Sequence, residues 1–431
     1  LILILNMLDL KFIRNNQEKV KEGLLKKNVN PEVLDNFLRL DEQRTALLKT
    51  VEDLRAKRNI AQNKLLEEKS EKEKILDLLK ELKEAINIKE KELEEIEVKW
   101  KKAWALIPNL PLENWPVGKD EKDSVVLREV GKKPSFKFAP KDYFTIAQQL
   151  DIIDTERAAK TSGARFGFLK REAALLELAL IQFAFEKIIK KGFVPIIPPV
   201  LIKPEPFWAM GYLDRGAEEV YHLEKDDLYL IGTAEQILGP MHMNETLKIE
   251  DLPLRYVGFS SCFRREAGSY GKDTKGIFRV HQFDKIEMFI FSKPEESFKE
   301  HELLLSIEEE LMQNLGIPYR VLQICTGDLG DPAAAKYDIE AWLPGQNNGE
   351  GQYRETHSTS NCTDYQARRL NIKYRDQIEN KSEFVYTLNG TGLAIGRMII
   401  AIIENYQTRE GWIKIPKVLM PYMKGVKMIK R

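Results

Sequence analysis

The stretch FRREAGSYGKDTKGIFRVHQFDKIEMF, Phe263 to Phe289, decides the fold. It reads as a strand, a long glycine-bearing loop and a returning strand. Arg264 and Glu266, two residues apart on the first limb, are expected on one strand face. The loop carries Gly268, Gly271 and Gly276 with Arg265, Lys272 and Lys275, a pattern that predicts an open, mobile, basic segment. The returning limb alternates. Phe283, Lys285, Glu287 and Phe289 share one face, and Asp284, Ile286, Met288 and Ile290 share the other. A face that mixes aromatic rings, a lysine and a carboxylate is a poor core face and suits the floor of a polar site.

Phe283 and Glu287 stand roughly 13 Å apart at about 3.3 Å per strand residue. An aromatic for a base and a carboxylate for an ammonium group, held that far apart, suit a ligand shaped like an aminoacyl-adenylate. An arginine between them would serve the phosphate bidentately. On spacing alone, an ordinary hairpin with a solvated charged face accounts for the pattern equally well.

The chain has 431 residues, enough for two or three domains. Lys plus Arg total 67 and Asp plus Glu total 67. No net charge therefore draws the chain to nucleic acid, and any RNA contact has to come from local basic patches. Cys262, Cys325 and Cys362 form no CxxC pair and are too few for a disulfide framework, which favours a reducing compartment. The histidines form no ligand-like cluster, which argues against structural zinc. No apolar run reaches about 18 residues, so no transmembrane helix is expected. Leu1 to Asn6 is apolar but too short for a signal peptide.

Upstream of the hairpin, residues 7–30 predict a short helix. From about Asp35 to Trp104 the composition shifts to Leu, Glu and Lys, without Pro or Gly. Leu40, Arg44, Leu47, Val51, Leu54, Arg58, Ala61 and Leu65 alternate four and three apart, and so do Ile75, Leu79, Leu82, Ile86, Lys89, Leu93, Ile96 and Trp100. These are two heptad seams separated by the charged run Glu67 to Lys74. Neither can bury itself alone, so an antiparallel two-helix hairpin is expected, each helix about 45 Å long. A dimerisation coiled coil or a spacer would use the same pattern. The prolines at 108, 111, 116, 134 and 140 mark a passage into a second domain, dividing the chain into residues 1–110 and 111–431. Leu169 to Lys191 predicts a helix stopped by Gly192 and followed by the edge-strand pattern GFVPIIPPV ending near Pro199.

Further on, LYLIGTAEQ leads a strand into Thr233-Ala234-Glu235, which alone could be a helix cap. Glu296 to Leu315 predicts a charged helix. KYDIEAWLP puts Asp338 and Glu340 on one strand face, and QYRETHSTSN follows. EFVYTLNGTGLAIGRMII predicts a strand, a glycine turn and a helix carrying Arg397.

Taken together these segments resemble the class II aminoacyl-tRNA synthetases, and among them the seryl-tRNA synthetases of bacterial type. Phe263-Arg264-x-Glu266 resembles motif 2, the Leu169–Pro199 segment motif 1, and the segment through Arg397 motif 3. Along nearly the whole chain the segments follow the family's order. The family start corresponds to Met7, so the first six residues read as an upstream extension. The resemblance implies an α+β fold: an antiparallel catalytic sheet flanked by helices, carrying an N-terminal coiled-coil arm. It implies a cytoplasmic homodimer with motif 1 at its interface, and no membrane. It implies activation of L-serine with ATP, then transfer to the 3′ end of tRNA(Ser), held by the arm and the motif 2 loop. Whether tRNA(Sec) is also served stays open.

The site residues are carried over in the same way. Arg264 and Arg397 are the catalytic candidates. Arg264 would hold the α-phosphate and the serine carboxylate, and Arg279 and Arg397 the β- and γ-phosphates. Glu266 would lie at the adenine or the terminal adenosine, Phe283 would stack on adenine, and Val280 would lie nearby through its backbone, with Arg265 beside them. Thr233, Ala234, Glu235, Glu287 and Thr391 would surround the serine. Thr233 and Glu287 would take its ammonium, and Thr391 its hydroxyl. Glu355, Thr356, His357 and Ser358 would border ATP, with Glu355 and Ser358 as Mg2+ ligands of the oxygen type this cation takes. His357 departs from the family's usual serine. A non-catalytic relative is disfavoured because Arg264, Arg279 and Arg397 are all present, and a ligase acting on a carrier protein is disfavoured by the long arm.

Overall fold

The computed structural model describes residues 8–67, 71–213, 216–267, 273, 275–376 and 381–431. The expected start at Met7, and Gly268, Gly271 and Lys272 of the basic loop, lie outside them. The described chain forms two compact units, one of Asp9–Pro108 and one containing Asn109–Arg431.

In the first unit the expected single short helix is two, α1 (Leu10–Asn15) and α2 (Gln17–Lys26), broken where Asn16 leaves helical geometry at φ −132°. The Asp9 carboxylate caps α1 by accepting from the Phe12 amide at 2.8 Å. Two long helices follow, α3 (Glu32–Glu67) and α4 (Lys72–Ala105). Ion pairs from Arg44 to Glu97 and from Arg55 to Glu90 fix them as antiparallel. The predicted seams face inward: Val51, Ala61, Ile75, Leu82, Ile86 and Trp100 are buried. Arg44 occupies a seam position because its guanidinium lies 4.5 Å from the Trp100 ring centroid. Below it, buried Asp41 accepts from Arg14 Nε at 2.7 Å and from Trp100 Nε1 at 3.0 Å.

The second unit is built on an eight-stranded sheet. Its strands are β1 (Val125–Val130), β2 (Val194–Ile196), β3 (Leu254–Phe263), β4 (Gln282–Ser292), β5 (Tyr319–Gln323), β6 (Ala335–Leu343), β7 (Gln352–Asn361) and β8 (Tyr386–Ala394). The spatial order is β1-β5-β6-β7-β8-β4-β3-β2, antiparallel except for the pair β2–β3. Three helices, α5 (Glu172–Ile189), α6 (Ser297–Leu315) and α7 (Ile395–Asn405), share one hydrophobic core with the sheet residues Ile286, Met288, Ile290, Ile339 and Leu393. The alternation read from the returning limb therefore holds. Ile286, Met288 and Ile290 go to the helical core, and Phe283, Lys285 and Glu287 line a cleft.

Helix α5 begins three residues later than expected. Leu169 is already paired with Ile153 in a two-residue strand, and Arg171 has φ +52°, so the helix starts only at Glu172. The charge on α6 is not all solvated: Glu300, His301 and Glu308 are buried on it. All three cysteines are buried free thiols.

Two irregularities shape the cleft face. Ile286 pairs with Leu393 but Glu287 pairs with Thr391, so Gly392 is an extra residue in β8. A Cβ at Gly392 would meet Ile286 Cγ2 at 2.8 Å and Ile188 Cδ1 at 2.9 Å, so any side chain there would force those isoleucines to shift. Likewise Ile339 pairs with His357 but Glu340 with Glu355, leaving Thr356 as the extra residue in β7.

At the start of this unit, Asn109 is almost fully buried. Its Nδ2 donates to the Pro332 and Cys362 carbonyls, each at 2.8 Å, and to Thr363 Oγ1 at 3.0 Å, while its amide donates to the Asp331 carbonyl at 2.9 Å.

Candidate active site

The cleft over the middle of the sheet has a volume of about 860 Å3. Its floor is β4, whose side chains run from Phe283 through Lys285 to Glu287. β8 adds Asn389 and Thr391, and β7 adds Glu355, Thr356 and Ser358.

The Glu287 end is closed. Glu287 is 2% exposed and is ion-paired with Lys285. Thr233 Oγ1 donates to Glu287 Oε2 at 3.2 Å, and Thr391 stands opposite on β8. Behind them Glu235 is held on both oxygens. Tyr212 OH donates to Oε2 at 2.7 Å, and Gln366 Nε2 and Asn389 Nδ2 donate to Oε1 at 3.0 and 2.9 Å. Burial, and then the neighbouring Glu287 charge, push the Glu235 carboxyl above its ordinary range. The Glu235 side chain is thus a built part of the wall.

The other end is open and cationic. Arg264 Nε donates to the Gly232 carbonyl at 3.1 Å, and its guanidinium lies 5.2 Å from the Phe283 ring centroid. The backbone does not carry Arg264 and Glu266 on one strand face, as the spacing predicts. The strand stops at Phe263, and Glu266 has φ +53°. Glu266 instead turns back to accept from Arg279 Nη1 at 2.8 Å. Arg397 Nη1 donates to the Glu355 carbonyl at 2.9 Å and lies 3.4 Å from its carboxylate. Desolvation opposes the Glu355 charge, but Arg397, Lys336, Arg264 and Lys285 outweigh it and hold the carboxyl below its ordinary value.

Three predicted site residues are not in the cleft lining. Ala234 is fully buried in the core beneath it, with Leu238 and Phe289. Arg265 is exposed, its guanidinium 5.4 Å from the Tyr221 ring centroid. His357 is fully buried on the opposite side of β7, its Nδ1 2.9 Å from Thr356 Oγ1. The bulge at Thr356 is the reason. It lets Glu355 and Thr356 both border the cleft and sends the next side chain to the other face. Burial drives the His357 pKa down to about 3, so the imidazole is neutral.

Several residues in or behind the cleft wall carried no sequence signal strong enough to select them. Lys336 and Asp338 form an ion pair of 3.0 Å next to Ser358. The alternation in KYDIEAW puts Asp338 on one face with Glu340 without saying which face borders a site, and nothing singles out Lys336. Tyr212 and Gln366 reach Glu235 from distant segments, which spacing cannot show. Asp338 is buried, and Ser358 stands directly opposite it in the sheet register. Its Oδ1 has no hydrogen-bond partner among the described residues. An orphaned buried oxygen beside Glu355 and Ser358 suits a hard divalent cation held jointly with phosphates. No group of three or more His, Cys, Asp or Glu side chains that could hold a metal by itself occurs among the described residues. No described helix is long and apolar enough to cross a membrane.

Comparison with known proteins accords with this geometry. Residues 7–111 match the family described as the seryl-tRNA synthetase N-terminal domain, and residues 219–406 match the tRNA synthetase class II core domain (G, H, P, S and T). A serine–tRNA ligase of Treponema denticola is 47% identical over 419 residues, covering 96% of this chain and 98% of the relative. The crystal structure of seryl-tRNA synthetase from Pyrococcus horikoshii complexed with ATP has a TM-score of 0.90 and 44% identity, covering 98% of this chain and 99% of that one. A cytoplasmic serine–tRNA ligase from Naegleria fowleri in complex with AMP has a TM-score of 0.86 at 35% identity, covering 99% of each chain.

Proposed function

The chain belongs to the seryl-tRNA synthetase family, and on that premise we propose how its cleft carries out the two half-reactions of a serine–tRNA ligase. The activity is the ATP-dependent joining of L-serine to the 3′ end of tRNA(Ser). One observation carries the residue assignment. Thr233, Glu287 and Thr391 converge at the closed end, while Phe283 and three arginines line the open end of the same floor.

In the first step a serine carboxylate oxygen attacks the α-phosphorus of ATP. The bond to the bridging oxygen breaks, and pyrophosphate leaves with that electron pair. Glu287 and Thr233 hold the serine ammonium and Thr391 its hydroxyl. Phe283 stacks on adenine, beside the Val280 backbone. Arg264 bridges the serine carboxylate and the α-phosphate, and Arg279 and Arg397 hold the outer phosphates. Such a step needs mainly positioning and charge neutralisation. Glu355 and Ser358, with Asp338 behind Ser358, would hold Mg2+, which supplies neutralising charge to the ATP phosphates when bound. In the second step a terminal ribose hydroxyl of the tRNA attacks the seryl carbonyl and AMP leaves. Glu266, now paired with Arg279, meets the adenine or the terminal adenosine when Arg279 turns to phosphate.

The arm grips the tRNA and the domains divide near residue 110. The protein works as a cytoplasmic homodimer. Support for the dimer is the exposed apolar row Leu175 and Leu178 on α5, Val194 on β2 and Ile197 just beyond it, at 47, 58, 53 and 74% exposure. The test is ATP–pyrophosphate exchange with each amino acid in turn, followed by serylation of tRNA. Exchange with serine alone among the amino acids is expected, and exchange with a different amino acid would remove the assignment of the closed end.

A further inference from the structure

We infer that Lys285 is a further substrate-positioning residue: its ammonium holds Glu287 by one carboxylate oxygen and offers a cation to the carboxylate of the incoming serine. This rests on the reading of the cleft as the serine-activating site and deepens it. Lys285 is 8% exposed and sits between Phe283 and Glu287 on the cleft face of β4. Neighbours on one strand face are about 6.6 Å apart. Lys285 therefore lies under the middle of any ligand that spans from the ring to the carboxylate. For serine with ATP, that middle is where the amino-acid carboxylate meets the α-phosphate.

Lys285 Nζ pairs with Glu287 Oε2, the same oxygen that accepts from Thr233 Oγ1. Among the described residues both donors to Glu287 thus converge on Oε2, which leaves Oε1 for a ligand ammonium. The pair presents alternating charge to the cleft. An α-amino acid carries the complementary alternation, ammonium against Glu287 and carboxylate against Lys285. A lone carboxylate there would accept any small cation, and a lone lysine any small anion. The pair selects a group that carries both charges on adjacent carbons. Taking two charges out of water is a poor route to stability, and a zwitterionic ligand gives the pair a use that folding does not. During activation the serine carboxylate becomes part of a mixed anhydride and loses its charge. The Lys285 contact therefore acts on binding and approach, and it is expected in KM for serine more than in kcat.

The experiment compares Lys285→Met and Lys285→Arg with the wild-type full-length protein in serine-dependent ATP–pyrophosphate exchange. L-serinamide is the second probe, measured as a competitive inhibitor. It keeps the ammonium and the hydroxyl and lacks the carboxylate. Lys285→Met is expected to raise the serine KM about 10- to 100-fold, the loss of one charge-assisted hydrogen bond. The serinamide inhibition constant should change less than about 3-fold, the KM for ATP should hold, and Lys285→Arg should recover part of the serine affinity. A parallel loss of serine and serinamide would overturn the inference, because Lys285 would then act only by holding Glu287. An unchanged serine KM would overturn it too. If Lys285→Met does not fold, Lys285→Gln is read in the same way, since it is neutral but still polar. Absence of serine-dependent exchange in the wild-type protein would remove the reading of the cleft itself, and the inference with it. Parallel loss in the variants removes the inference alone.

Discussion

Thr391 faces Glu287 directly across two antiparallel strands, one residue out of step with the Leu393–Ile286 pair beside it. The step is made by Gly392, and the serine-hydroxyl candidate owes its position to a residue with no side chain. Gly392→Ala should therefore act on both stability and selectivity. Its methyl would press on Ile286 and Ile188, an overpacking cost of about 1–3 kcal/mol. Urea midpoints would report the first effect. A lowered serine-over-alanine ratio of kcat/KM in the folded variant would report the second, and an unchanged ratio would uncouple Thr391 from the bulge.

Arg264→Ala should abolish most adenylate formation in a folded protein. Arg264 reaches the cleft from just beyond β3, anchored to the Gly232 carbonyl. Loss of one preorganised charge contact in the transition state costs about 10²- to 10³-fold in kcat. Near-normal pyrophosphate exchange would remove the assignment.

Serine should be preferred over alanine by more than it is over threonine. Alanine leaves the hydroxyl partners unpaired, a penalty that can reach about 10⁴ in built polar sites. Threonine keeps the hydroxyl and must be refused by shape at Thr391 and Glu287. Thr391→Ala should narrow the serine–alanine gap, which competing-substrate kinetics would measure.

Shortening the arm should spare serine activation and cripple serylation of tRNA. The cut is best made at residues 48–92, replaced by a short flexible linker. This keeps the Arg44–Glu97 pair and the Asp41–Trp100 bond, which a cut from Gln43 to Trp100 would destroy. The cluster of Leu54, Ala61, Leu65, Ile75, Leu79 and Leu82 leaves as a unit. The residual tRNA affinity should have a shallower salt dependence, because fewer phosphates are neutralised. Full serylation by the shortened protein would mean that the arm does not read RNA.

His301 should contribute an acid-sensitive part of the stability. It is fully buried on α6 against Trp115 and Tyr337, and its Nε2–H donates to the Thr359 carbonyl at 3.1 Å. Burial drives its pKa down to about 4. The unfolded chain, with an ordinary histidine pKa near 6.5, binds a proton more readily than the folded one between those values. The stabilisation is thus present above about pH 6.5 and is lost as pH falls toward 4, by up to about 1.4 kcal/mol per unit. His301→Gln should flatten the dependence of the urea midpoint between pH 6.5 and 5. An equally steep slope in the variant would assign the acid sensitivity elsewhere.

Elements with a period were legible before the structure. The returning limb of the hairpin and the two arm seams announce their buried faces through alternation or heptad spacing, and side chains such as Ile286 and Val51 obey it. What stayed hidden depends on single extra residues and on distance along the chain. His357 and Thr391 face where they do because Thr356 and Gly392 are extra residues. No local pattern marks the bulge at Thr356, and the glycines at 390 and 392 suit a turn after a strand ending at Asn389, whereas β8 runs on to Ala394 with Gly392 as its bulge. Glu266 was misplaced because its backbone enters the left-handed region, which propensity makes rare for glutamate. Tyr212 and Gln366 were invisible because their partner Glu235 lies far away in sequence.

The four hydrogen bonds that Asn109 donates set a rule for building chimaeras. The residue follows the arm unit immediately, yet its partners Asp331, Pro332 and Cys362 are wall residues of the cleft. Exchanging arms between homologues should therefore splice no later than residue 108. A junction one residue further on would trade away the tether of the 331–332 loop along with the arm, and a hybrid that lost serine activation for that reason would be misread as evidence of long-range control by tRNA.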